Sequence, residues 1–120
     1  MTNNRDLPAP PTEALPILTL TEANFNTFTL QISALVIDFF NDWCGSCRFF
    51  AQIFFDVSLE YPEVQFCTCN TEENSHITAE LRIRAVPTLM FIKNGTVVKI
   101  RNGALSKEEF REDLNSVFRA

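Results

Sequence analysis

The sequence predicts an α/β fold in which a mixed sheet is covered by helices on both faces. Three features predict it. Strand-like and helix-like patterns alternate along the chain. Ala34 to Phe40 is an apolar run interrupted only by Asp38, as suits a strand buried on both faces of a sheet. Two further apolar runs, at residues 88–93 and 96–101, are joined by Asn94 and Gly95, which supply the positive φ angles of a tight antiparallel hairpin.

The elements follow in order. Residues 1–16 carry Pro8, Pro10, Pro11 and Pro16, and read as a flexible leader that enters neither helix nor central strand. The folded domain then covers 17–120. Residues 17–20 form a short strand. Thr21 caps a helix from Glu22 to about Gln31, with Phe25, Phe28 and Ile32 on one face. After the strand at 34–40, a second helix spans about 44–60. Phe50, Ile53, Phe54 and Val57 supply its core stripe, and Tyr61-Pro62 ends it. Residues 64–69 read as a strand and 74–82 as a weaker helix. After the hairpin, Ser106 opens a last helix, with Glu109 completing a capping box and Phe110, Leu114, Val117 and Phe118 facing inward. The order is β-α-β-α-β-α-β-β-α.

Composition excludes whole classes of function. The 120 residues suffice for one domain, and 10 Lys+Arg against 15 Asp+Glu give a charge of −5. Nucleic-acid binding needs clustered positive charge, which this balance argues against. No apolar stretch approaches the ~20 residues of a membrane-spanning helix. Residues 1–11 lack a basic start followed by an apolar segment, so no secretory signal is expected and the default compartment is the cytoplasm. Thiols stay reduced there, and the four cysteines at 44, 47, 67 and 69 are not expected to form a structural disulfide framework.

The informative string is Val36-Ile37-Asp38-Phe39-Phe40-Asn41-Asp42-Trp43-Cys44-Gly45-Ser46-Cys47. A Cys-x-x-Cys between a buried strand and a helix is the signature of dithiol redox chemistry. Cys44 sits at the helix N-terminus, where free amides and the dipole stabilise a thiolate, the form that attacks disulfides. Cys47, one turn on, is close enough to bond Cys44 and too buried to react first, and Gly45 permits the tight approach. Pro87 lies forty residues after Cys47 and opens a strand, the position where a missing amide donor costs nothing. A cis bond there presents the Val86 backbone beside the thiols.

These residues resemble the thioredoxin family. Trp43-Cys44-Gly45-Ser46-Cys47 is similar to its WCGPC active site, Asp38 to its buried acid, and Val86-Pro87-Thr88 to its cis-proline substrate loop. Lys93-Asn94-Gly95 and Gly103-Ala104-Leu105-Ser106 resemble its last hairpin turn and its entry to the final helix, so the resemblance covers residues 17–118. It implies a thioredoxin fold, with a central mixed five-stranded sheet flanked by four helices. It implies thiol–disulfide exchange on protein disulfides, with Cys44 attacking, Cys47 resolving the mixed disulfide and Asp38 accepting the proton of Cys47. Trp43, Gly45, Ser46, Val86, Pro87 and Gly103 would contact substrate. No cofactor beyond the redox-active Cys44–Cys47 pair is implied. An NADPH-dependent thioredoxin reductase would regenerate the dithiol, and a monomer is the default state.

The chain departs from the family pattern in four places. Ser46 replaces the usual Pro and adds a hydroxyl able to bond a thiolate, which predicts a less reducing protein. Thr68 stands where many members carry Lys near the buried acid, so Asp38 loses a favourable cation and its pKa should rise further. Gln52 replaces a helix-kinking Pro, predicting a straighter helix. Asn41 replaces a small residue, while Arg48 keeps the usual positive charge.

Other readings of the same residues are weaker. Cys67 and Cys69 with the Cys-x-x-Cys pair only loosely match zinc spacing, and two residues apart on a strand they share a face in the apolar core. His76 reads as a solvated surface residue with no cysteine near it in sequence, so a Cys–His protease is unsupported. One member of each pair Phe49-Phe50 and Phe54-Phe55 must point away from the core, towards an apolar partner surface. A thioredoxin-fold binding or chaperone subunit would not need to keep Cys44, Cys47, Asp38 and Pro87. A dithiol oxidase or isomerase in an oxidising compartment would need a signal that residues 1–16 do not supply.

Overall fold

A computed structural model describes residues 15–120. The segment read as a leader lies outside the described residues up to position 14. Nine elements follow in the expected order: β1 (Leu18–Thr19), α1 (Phe25–Gln31), β2 (Ala34–Phe40), α2 (Gly45–Ser58), β3 (Gln65–Asn70), α3 (Ser75–Glu80), β4 (Thr88–Lys93), β5 (Thr96–Asn102) and α4 (Lys107–Phe118).

The five strands form one sheet in the order β1-β3-β2-β4-β5. β1 and β2 run parallel to β3, β4 runs antiparallel to β2, and β5 antiparallel to β4, so the sheet is mixed. β2 lies in the centre and is buried along its length, which explains its near-continuous apolar run. Its alternation sorts the core into two clusters. Leu35, Ile37 and Phe39 pack on one face with Cys67, Cys69, Met90, Phe25 and Ile77. Val36 points to the other face, where Phe50, Phe54, Phe66, Phe91 and Phe110 meet. The Phe54 and Phe110 rings stack at 5.7 Å between centroids, tying α2 to α4. Strand period two therefore places Asp38 on the α2 side of the sheet.

The α1 boundary differs from expectation. Thr21 does not begin the helix. Asn24 Oδ1 accepts from the Thr21 amide at 2.7 Å, and the Phe25 amide bonds the Thr21 carbonyl, closing a turn that delays the helix to Phe25. Asn24 stands at the N-cap position without a side-chain cap bond, and the Thr21 hydroxyl accepts the Ala23 amide at 3.2 Å, so Thr21 heads the turn that leads into the helix and not the helix itself. At α4 the expected capping box is present, with Ser106 and Glu109 exchanging bonds at 3.0 and 3.1 Å. α2 runs unbroken through Gln52, whose amide bonds Asp56 at 2.9 Å. Among the described residues no helix is long and apolar enough to cross a membrane.

Candidate active site

Strand β2 delivers the chain to the edge of the sheet, and Asn41-Asp42-Trp43 turns it into α2. The turn is held from two sides. Asn41 Oδ1 accepts from the Trp43 amide at 2.9 Å, and the Arg48 guanidinium donates to the Asp42 carbonyl at 3.2 Å. Trp43 stands 83% exposed beside Cys44. The Asn41 bond is an Asx turn, legible in principle from an Asn two residues before the loop's end, but the sequence reading treats Asn41 only as a departure from the family pattern.

Cys44 is the N-cap of α2 with extended backbone, and Cys47 lies in its first turn. The two are joined as a disulfide with Cα atoms 5.2 Å apart. The Cys47 amide, one of the helix's free N-terminal donors, points at Cys44 Sγ at 3.0 Å. Ser46 Oγ is 3.4 Å from the same sulfur. Cys44 is half-buried, whereas Cys47 is only 4% exposed. The sulfur that solvent reaches is therefore also the one that the helix terminus addresses.

The Val86–Pro87 bond is cis, and the Val86 carbonyl oxygen lies 3.6 Å from Cys44 Sγ. Gly103 holds this loop from behind. Its amide donates to the Pro87 carbonyl at 2.7 Å, and its φ of +93° is a conformation in which glycine has no side chain to strain. Pro87, Val86 and Gly103 are thus brought to the rim of Cys44 from segments far apart in sequence.

Beneath the pair, a cavity of about 220 Å³ is lined by Asp38, Cys47, Thr68, Asn41, Arg48 and apolar groups from Phe40 and Ala51. Asp38 is buried, and its Oδ1 has no hydrogen-bond partner. Burial pushes its carboxyl from the ordinary 3.8 up to about 7, because removal from water disfavours the charged form. Thr68 is its register partner on β3, so a neutral hydroxyl residue occupies the place expected to lack a cation.

Cys67 and Cys69 sit in the cluster on the opposite face, with Leu35 and Ile37. Burial pushes their thiols up to about 12 and about 11, so they stay protonated and unreactive near neutrality. Among the described residues no three His, Cys, Asp or Glu side chains group to hold a metal ion. His76 is exposed, and its amide donates to Glu22 at 2.6 Å. Phe50 and Phe54 are buried while Phe49 and Phe55 are exposed, which resolves both aromatic pairs.

Known proteins share this arrangement. The family model described as Thioredoxin matches residues 16–116. The chain is 30% identical over 102 residues to the thioredoxin of Pseudomonas aeruginosa, covering 83% of this chain and 94% of that one. It is 33% identical over 101 residues to the thioredoxin of Buchnera aphidicola, covering 82% and 93%. The crystal structure of Chlamydomonas reinhardtii thioredoxin f2 matches with a TM-score of 0.81 at 26% identity, covering 88% of this chain and 99% of that one. A family model spanning most of the chain and a paired Cys-x-x-Cys at a helix start lead to one conclusion: the protein belongs to the thioredoxin family and is a thiol–disulfide oxidoreductase.

Proposed function

We propose that the protein reduces disulfides of other proteins with Cys44 as nucleophile, Cys47 as resolving thiol and Asp38 as proton acceptor. The observation that carries this reading is the asymmetry of the pair. Cys44 Sγ is reachable and accepts the Cys47 amide at 3.0 Å, while Cys47 is buried above a cavity that contains Asp38.

In the reduced protein, the Cys44 thiolate attacks one sulfur of the substrate disulfide. A Cys44–substrate disulfide forms, and the other substrate sulfur leaves as a thiolate and takes a proton. The Cys47 thiol then gives its proton to the Asp38 carboxylate, and its sulfur attacks Cys44 Sγ. The second substrate thiolate leaves, and the Cys44–Cys47 disulfide remains. Two electrons have passed from protein to substrate. A carboxyl raised to about 7 suits this task, since its affinity for a proton matches near-neutral conditions. Trp43, Gly45, Ser46, Val86, Pro87 and Gly103 form the surface on which the substrate lies.

The dithiol itself carries the reducing equivalents, so the reading needs no bound cofactor. An NADPH-dependent reductase returns the pair to its reduced form. A monomer suffices, because one chain supplies every group of the site. The unpaired Cys67 and Cys69 accord with a reducing compartment such as the cytoplasm.

Insulin reduction driven by dithiothreitol tests the reading. Wild type should accelerate it and Cys44→Ser should not. Cys47→Ser should accumulate as a mixed disulfide with substrate. A Cys44→Ser variant that works at the wild-type rate would refute the assignment.

A further inference from the structure

We propose that Asn41 is a positioning residue for protein substrates: its bond to the Trp43 amide sets the Trp43 wall of the site in place before a protein disulfide arrives. The proposal rests on the dithiol reading above, in which Trp43 belongs to the surface that the substrate covers.

The chain between β2 and α2 has little backbone to hold it. At the end of β2 the Phe40 carbonyl accepts from the Thr71 amide at 2.8 Å. In α2 the Arg48 amide donates to the Cys44 carbonyl at 3.3 Å. Asn41, Asp42 and Trp43 lie between these bonds, outside any helix or strand. Packing does not fix the indole either, since Trp43 is 83% exposed. Side chains hold the segment instead. Arg48 reaches back from α2 to the Asp42 carbonyl at 3.2 Å, and Asn41 Oδ1 accepts from the Trp43 amide at 2.9 Å. Of the two bonds, the one from Asn41 is made to Trp43 itself.

The residue type suits this task. A short amide side chain brings its oxygen to the backbone amide two residues on. Alanine carries no acceptor, so the Trp43 amide would turn to water and the segment would sample more conformations. Ordering it would then fall to the arriving substrate, which weakens capture.

Asn41 is itself confined. It is half-buried and lines two hollows. One is the cavity that holds Asp38 and Cys47. The other is a cleft of about 140 Å³ shared with Arg84, Ala85 and Val86. The Val86 carbonyl oxygen lies 3.6 Å from Cys44 Sγ. Asn41 therefore stands between the cis-proline loop and the Trp43 turn. A small disulfide can meet Cys44 without covering Trp43, so the effect belongs to protein substrates.

Trp43 is the only tryptophan in the chain, so its emission reports on this wall directly. The test compares wild type with Asn41→Ala, which removes the acceptor, and with Asn41→Asp and Asn41→Ser, which keep one with and without a charge. In the oxidised proteins, time-resolved anisotropy should show wider local motion of Trp43 in Asn41→Ala than in wild type. Reduced Asn41→Ala should reduce insulin about three- to tenfold more slowly. Its rate on bis(2-hydroxyethyl) disulfide should equal that of wild type, which also shows an intact fold. At least one of the two acceptor-bearing variants should restore both the anisotropy and the insulin rate. An unchanged insulin rate or unchanged anisotropy in Asn41→Ala would overturn the proposal while leaving the dithiol mechanism intact. Equal slowing on both disulfides would overturn it as well, because the effect would then lie in the thiols. So would a loss that neither Asp nor Ser repairs. A wild type inert towards insulin and the small disulfide alike would refute the proposed function, and this role of Asn41 with it.

Discussion

The backbone amide of Cys47 points at the sulfur of Cys44 at 3.0 Å. A helix leaves its first amides without internal partners, and here one of them is spent on the sulfur at the N-cap. When the disulfide opens, that amide faces a thiolate. Hydrogen bonds to charged groups are the stronger kind, and the helix dipole acts in the same direction. The helix start is thus placed to favour the ionised form of Cys44 once the pair is reduced, which is what the proposed role of Cys44 needs.

Asp38 makes stability depend on pH. Its carboxyl is raised from 3.8 to about 7 by burial, so the fold keeps it protonated where the unfolded chain does not. The corresponding stability is complete below pH 4 and is lost as pH rises through about 7. The full difference is about 4 kcal/mol. Asp38→Asn, fixed neutral, should therefore gain stability over wild type by up to about that amount at pH 8.5 and gain little at pH 4. Guanidinium unfolding of the oxidised proteins at both pH values measures this, and the same offset at both would contradict it. The variant should also reduce insulin more slowly, for want of a proton acceptor.

Ser46 should make the potential less reducing. Its hydroxyl lies 3.4 Å from Cys44 Sγ and can donate to the thiolate of the reduced form but not usefully to the disulfide. A bond to a charged group contributes roughly 1.5–3 kcal/mol. With ~30 mV for each 1.4 kcal/mol, Ser46→Pro should shift the potential roughly 30–60 mV more negative. Equilibration of both proteins in glutathione buffers reads the shift, and equal potentials would contradict it.

Gly103 is required for its backbone and not for its small size. Its φ is +93°, yet a Cβ built there meets nothing within 4 Å. Gly103→Ala should therefore cost about 1–2 kcal/mol of conformational strain and no more. Urea denaturation checks the figure. No loss at all would mean that the loop relaxes freely, and a far larger one would require a steric clash that this open site does not contain.

Much of this was legible in the sequence, for identifiable reasons. The bounds of β2 came out right because a strand buried on both faces can carry little but apolar residues, and Ala34 to Phe40 does. The β4–β5 hairpin was legible because Asn94 and Gly95 are the residues that tolerate positive φ, which both adopt. The Cys44 N-cap and the Ser106 capping box follow from local chemistry that spacing reveals. The start of α1 was not legible, because Thr21 does accept a local amide as a cap would, but the turn it heads is closed by the Asn24 side chain and becomes regular helix only at Phe25. The Asn41 bond that fixes Trp43 was legible in principle as an Asx turn, but comparison with the family pattern marks Asn41 only as a departure. The exposure of Phe49 was legible, because one ring of the Phe49-Phe50 pair had to point outward.

The most direct measurement is the pH dependence of alkylation of the fully reduced protein with limiting iodoacetamide, mapped residue by residue by mass spectrometry. Cys44 should be modified first, with a midpoint below the ordinary thiol value of about 8.5, while Cys47, Cys67 and Cys69 remain intact. Modification of Cys47 ahead of Cys44, or a Cys44 that reacts only above the ordinary thiol range, would contradict the account.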